Sequence, residues 1–144
     1  MRSALLIILL VCSPTIVAQT TLYWSDLEGG ISWKERIEKT AYPSFQEATF
    51  SDKLTSLEGK KVSLVGFLLV MGGGQSVYLL SKNPMASCFF CGNGGMETVS
   101  EISFAQPPSF AMDDLISVTG ILRLNMNDPT RCYYLLDEAE AFGF

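Results

Sequence analysis

The sequence predicts an all-β domain: five strands closed into a small barrel, preceded by a short helical lead-in. Three observations predict it. Apolar residues alternate with period two in segments that follow Leu57. Two of those segments, the first and the fourth, carry a glycine in mid-strand, at Gly66 and Gly120. Between the third and fourth, Pro107-Pro108 leaves little room for a long helix.

The segments follow in order. After a turn at Leu57-Glu58-Gly59-Lys60, residues Val62, Leu64, Gly66, Leu68 and Val70 share one face of a strand. Ser63, Val65, Phe67 and Leu69 take the other face. Gly72-Gly73-Gly74 is a loop, and Val77 to Ser81 is the second strand, ended by Asn83-Pro84. A loop from Met85 to Gly95 leads to the third strand, Thr98 to Phe104. Ile116 to Leu124 is the fourth, with Ile116, Val118, Gly120, Leu122 and Leu124 on one face. Asn125 to Thr130 turns the chain into the fifth, Cys132 to Ala139. Mid-strand glycine permits the sharp coiling that a small barrel needs. Five strands with bent first and fourth members and a short third connection describe an OB-like barrel.

The domain plan is residues 1–18 as signal peptide, 19–56 as lead-in, and 57–144 as barrel. Met1-Arg2 is a positive start, Ala4 to Val11 an unbroken apolar run, and Ala18 a small residue at the cleavage position. The run is shorter than the roughly 20 apolar residues that span a bilayer, so no stable membrane insertion is expected after cleavage. Val11 stands where lipidation of Cys12 would need a small residue. Periplasmic or secreted localisation follows. In the lead-in, Ser32 with Glu35 suggests a capped helix through Lys39, stopped at Tyr42-Pro43. Trp24, Trp33, Tyr42 and Phe45 are expected to pack across one end of the barrel.

Charge and composition exclude several functions. The formal net charge is −5. Cleavage takes away Arg2 and no acid, leaving about −6. OB barrels often hold single-stranded nucleic acid, yet an acidic domain lacks the required field, and no nucleic-acid partner is expected. The chain has no histidine, which removes His-based triads, general bases and metal ligands. No P-loop, dinucleotide fingerprint or nucleophile elbow is present. Gly92-Asn93-Gly94-Gly95 does not follow a strand and open a helix, so it is no phosphate cradle. No catalytic residue is assigned and no enzyme activity is expected. Glu97 and Glu101 read as neighbours on one solvated strand face, and Asp113-Asp114 as surface charge.

The segment that carries chemistry is Cys88-Phe89-Phe90-Cys91-Gly92-Asn93-Gly94-Gly95. Two cysteines three apart on a loop can point their sulfurs at one spot, and the glycines let backbone N–H groups turn toward thiolates. That suits a soft or borderline metal ion such as zinc. It equally suits a reversible disulfide. Cys132 is the third mature cysteine. Three thiolates from Cys88, Cys91 and Cys132 are the candidate metal ligands, with Glu97, Asp128 or water as a fourth. Phe89 and Phe90 are candidates to shield such a site, with ordinary packing as the plainer role.

Four segments together resemble a known family. Trp24-Ser25-Asp26-Leu27, the strand from Gly59-Lys60-Lys61-Val62 to Gly66-Phe67-Leu68, Ser87-Cys88-Phe89-Phe90-Cys91-Gly92, and Leu135-Leu136-Asp137-Glu138-Ala139-Glu140 are similar to small exported bacterial proteins of the uncharacterised DUF3299 type and their Bacteroidetes relatives. The resemblance implies metal handling beside a membrane transporter or other envelope protein, and no catalysis. Cys132 stands near where such relatives carry a histidine. The expected function is transition-metal binding through the cysteines. The alternatives are a thiol–disulfide protein using Cys88 and Cys91, and a module whose concave barrel face binds a peptide or protein. If residues 1–18 are a cleaved signal, N-terminal sequencing of the exported protein reads Gln19 first; a chain that keeps Met1 refutes the assignment.

Overall fold

The computed structural model describes residues 19–34, 46–72 and 76–144. The expected signal peptide, the far end of the expected Ser32–Lys39 helix, Tyr42-Pro43, Phe45 and Gly73-Gly74 lie outside the described residues. The barrel strands are β4 (Lys61–Met71), β5 (Val77–Ser81), β6 (Val99–Phe104), β7 (Leu115–Leu124) and β8 (Tyr134–Phe142). Before them come β1 (Thr20–Thr21), α1 (Trp24–Gly29), β2 (Ile31–Lys34), β3 (Glu47–Phe50) and α2 (Asp52–Leu57). The predicted strands are observed within a few residues of their expected ends. The fifth differs most: it starts at Tyr134, which leaves Cys132 in the preceding loop.

The barrel closes in the order β4-β5-β6-β8-β7, with β7 pairing back onto β4. β6 and β8 are parallel; every other pair in the ring is antiparallel. This is the all-β, OB-like arrangement that the alternation predicts. β4 does double duty. Its residues Lys61–Phe67 pair with β7, and Phe67–Met71 pair with β5.

Gly66 sits beside that change of partner. A Cβ built there would lie 2.6 Å from the Ser81 carbonyl oxygen and 2.9 Å from Leu80 Cγ. The glycine is needed for close approach of two backbones. The Trp24 ring lies over the same spot, and its indole N–H donates to the Val65 carbonyl at 2.7 Å. Gly120 is the corresponding approach on the opposite side, 3.0 Å from the Asp137 carbonyl oxygen by the same measure.

Alternation sorts the strand residues into two apolar clusters. Val62, Leu64, Leu68, Leu80, Ile102, Ile116, Val118, Leu122, Tyr134 and Leu136 fill the interior. Leu22, Leu27, Leu54 and Leu57 of the lead-in join them, so that segment completes the core. Tyr134, wholly buried, donates its hydroxyl to the Leu27 carbonyl at 2.7 Å. The second cluster lies on the outer wall. Leu69, Leu79 and Val99 alternate with interior residues and are covered by Cys88 and its loop.

The lead-in departs from expectation, and the two helices described in it, α1 and α2, were not predicted. Residues Ile31–Lys34 do not begin a helix; they pair antiparallel with β3, Trp33 opposite Ala48. The Ser32 hydroxyl bonds that of Thr49 at 2.7 Å instead of capping a helix. A short, charged segment with a small apolar face gains little from helix formation, and pairing satisfies its backbone. Trp33 then meets Tyr133 edge-on, ring centres 4.6 Å apart. α2, unpredicted, is capped by Ser51, whose hydroxyl accepts from the Leu54 N–H. Among the described residues no helix is long and apolar enough to cross a membrane.

Gly66→Ala is expected to destabilise the protein by about 1–3 kcal/mol, because the added methyl overpacks a closed backbone contact. Urea unfolding reads the shift in midpoint; a change below about 0.5 kcal/mol would show that the strand junction yields freely.

Candidate functional site

The cysteine loop runs between β5 and β6 across the outer wall of the barrel. Two short 3-10 turns, Met85–Ser87 and Phe89–Cys91, carry its first half. Gly92 and Gly94 both adopt left-handed φ, +84° and +85°, which glycine accepts without a side-chain clash. A third short turn, Met96–Thr98, leads into β6.

The two thiols meet at one acceptor. Cys88 Sγ and Cys91 Sγ each lie 3.2 Å from the Met85 carbonyl oxygen. The sulfurs are therefore no further apart than twice that distance. Cys88 is fully buried on the outer wall and Cys91 is exposed. Both are reduced. The backbone N–H groups of the bend are used differently from the expectation. Those of Cys91 and Asn93 donate to the Cys88 carbonyl, so they shape the turn and do not face a thiolate.

Cys132 packs against the same outer cluster as Cys88 and Met85. Its neighbourhood is organised by Asn125. That side chain donates to the carbonyls of Asp128 and Cys132, at 2.7 and 3.1 Å, and accepts from the N–H groups of Asn127 and Asp128. Burial pushes the Cys132 thiol up to about 12, and the Glu101 carboxylate adds to the shift against an opposing Arg131. A thiolate is disfavoured there unless a cation replaces the proton.

The carboxylates proposed to complete a metal site are occupied. Glu97 accepts from the Gly95 N–H at 3.1 Å. It lies in the turn before β6, so it does not share a strand face with Glu101. Asp128 accepts from the N–H and hydroxyl of Thr130, which hold its carboxyl below the usual range. Glu101 pairs with Arg131 at 2.6 Å. Among the described residues no group of three or more His, Cys, Asp or Glu side chains is assembled to hold an ion.

Asp113 is more than surface charge. Its carboxylate accepts from the Met85 N–H at 2.7 Å, and its own N–H donates to the Leu68 carbonyl at 2.8 Å. It ties the start of the cysteine loop to β4, with a left-handed φ of 67°. The Asp-Asp pair gave no sign of this, because the contact spans distant parts of the chain. Phe90 is 48 % exposed; the Phe89 side chain lies outside the described part of the structure.

This fold has a counterpart among solved structures. It is similar to that of a DUF3299 family protein. The counterpart is the crystal structure of such a protein from Pseudomonas aeruginosa PAO1, with a TM-score of 0.52 and 14% sequence identity. The match covers 88% of this chain and 98% of that chain. Sequence comparison finds no matching family model and no matching curated protein. At that identity the likeness concerns the fold, and it leaves the cysteine loop to be argued from its own geometry.

The geometry orders the thiols by reactivity. Near pH 8, iodoacetamide is expected to label Cys91 of the folded protein first. Cys132 lags, since a thiol at about 12 is ionised to only about 10⁻⁴ at that pH. Peptide mass spectrometry over a time course checks the order. Equal rates at Cys91 and Cys132 would contradict the buried setting of the latter.

Proposed function

We propose that this protein is a non-catalytic, exported metal-binding domain that takes up a transition-metal ion through the thiols of Cys88 and Cys91. The observation that carries the reading is the convergence of both sulfurs on the Met85 carbonyl at 3.2 Å. A bend that aims two thiols at one point has already met the conformational cost of bringing two ligands together. Binding replaces two S–H protons with one cation, so affinity rises with pH as the protons are released. Cys132, which packs against the same apolar cluster, is the third sulfur proposed from the sequence. Burial raises its thiol pKa, so recruiting it as a thiolate costs free energy. Zinc is the ion named from the thiol pair, and delivery to a membrane transporter or other envelope protein is the accompanying role.

The same proximity favours a second reading, a thiol–disulfide pair. Cys91 is exposed and Cys88 is buried beside it, the arrangement of an attacking thiol with a sheltered partner.

Protein purified from the exported compartment, with no metal added, separates the two. Metal binding predicts bound ion by elemental analysis, and label on both Cys88 and Cys91 once the ion is chelated and the protein unfolded. Cys91→Ser, at an exposed position, is expected to lower bound metal at least tenfold with the fold intact. Cys88→Ala does the same from the buried side. A metal-free protein whose pair cycles at a defined reduction potential refutes the metal reading.

A further inference from the structure

A third sulfur, that of Met85, lies against one of the two thiols at the start of the loop. Met85, Cys88 and Cys91 are spaced three apart; Met85 and Cys91 lie in successive 3-10 turns, and Cys88 is the extended residue that joins them. Cys88 Sγ lies 3.9 Å from Met85 Sδ, and the Met85 carbonyl joins the two thiols. Met85 is half-buried, between the enclosed Cys88 and the exposed Cys91, so the group is reachable from solvent along one side.

Methionine commonly fills gaps in apolar packing, and Met85 does border the outer cluster. Packing alone does not require its sulfur to face a thiol, nor its peptide to be held. Here the Asp113 carboxylate fixes the Met85 N–H at 2.7 Å. The harder donors nearby are committed elsewhere: Glu97 to Gly95, Glu101 to Arg131, Asp128 to Thr130. The chain contains no histidine. What remains is a purely sulfur donor set of two thiols and one thioether.

We propose that Met85, Cys88 and Cys91 form a three-sulfur site selective for a soft monovalent cation, Cu(I) or its surrogate Ag(I). Thioether and thiolate donors select Cu(I), whereas structural zinc takes four ligands in a tetrahedron that this loop does not supply. On binding, the two thiols release their protons to solvent and the thioether coordinates as a neutral ligand. The ion keeps its oxidation state, no sulfur is oxidised, and the site gains one net negative charge. Asp113 is a positioning residue that acts through the Met85 backbone. The inference rests on the reading that Cys88 and Cys91 hold a metal ion, and it adds Met85 and the class of ion.

The test titrates the reduced mature protein, without oxygen, with Cu(I), Ag(I) and Zn(II) separately, each against a chromophoric chelator. One Cu(I) per chain is expected, held more tightly than Zn(II), with an all-sulfur shell in X-ray absorption. Met85→Leu keeps side-chain volume, so the fold should stand; Cu(I) affinity should fall at least tenfold with little change for Zn(II). Asp113→Ala should lower Cu(I) affinity about tenfold, and Cys132→Ser should leave it unchanged. Zn(II) binding tighter than Cu(I), or unaltered Cu(I) affinity in Met85→Leu, overturns the inference while the two-cysteine reading stands. Full Cu(I) affinity in Cys91→Ser, or no metal bound by the parent protein, overturns both.

Discussion

The structure depends on one strand serving two partners. β4 pairs with β7 along its first half and with β5 along its second, and the change falls next to Gly66. Without a close approach there, the sheet would stay open and its first strand would present an unpaired edge. The close approach requires the absence of a side chain, since any Cβ would meet the Ser81 carbonyl and Leu80. Trp24 covers the same point and bonds Val65. Barrel closure and docking of the lead-in are thus one contact.

Closure also creates the outer wall on which the cysteine loop sits. A strand buried on both sides has no polar face. In β4 this shows as Leu68 in the interior and Leu69 outside, both fully buried. Leu69 pairs with Leu79, and these two with Val99 form an apolar patch that needs a cover. The loop provides it with Cys88, which behaves as a small hydrophobe as well as a thiol. One end of the loop is anchored by Asp113 and the patch is flanked by the Asn125-organised turn that carries Cys132. The same packing that seals the barrel wall fixes the sulfur geometry.

Much of this was legible in local pattern. Period-two alternation located the five barrel strands, and the glycines at 66 and 120 marked where they bend. The Cys-Phe-Phe-Cys-Gly bend was visible as a place where sulfurs converge. Three things were not legible, each for a nonlocal reason. Ser32 to Lys34 pairs with β3 across a stretch of chain, and that pairing outweighs a local capping signal. The acids near the cysteines look available in sequence, yet Glu97, Glu101 and Asp128 are spent on turns and an ion pair. Asp113 looks like plain surface charge until the backbone N–H of Met85 is placed against it.

By itself the sequence determined the class of fold, the absence of imidazole chemistry, and the acidic balance that argues against nucleic acid, because these follow from composition and from periodicities within single strands. It also determined that Met85, Cys88 and Cys91 recur at intervals of three. Only the tertiary structure decided which strands are neighbours, that Cys132 borders the same cluster as Cys88, and that the Met85 sulfur faces a thiol. Those depend on contacts between residues far apart in the chain, whose energies are settled by closure of the barrel and burial of its outer wall, not by any one segment's own preference.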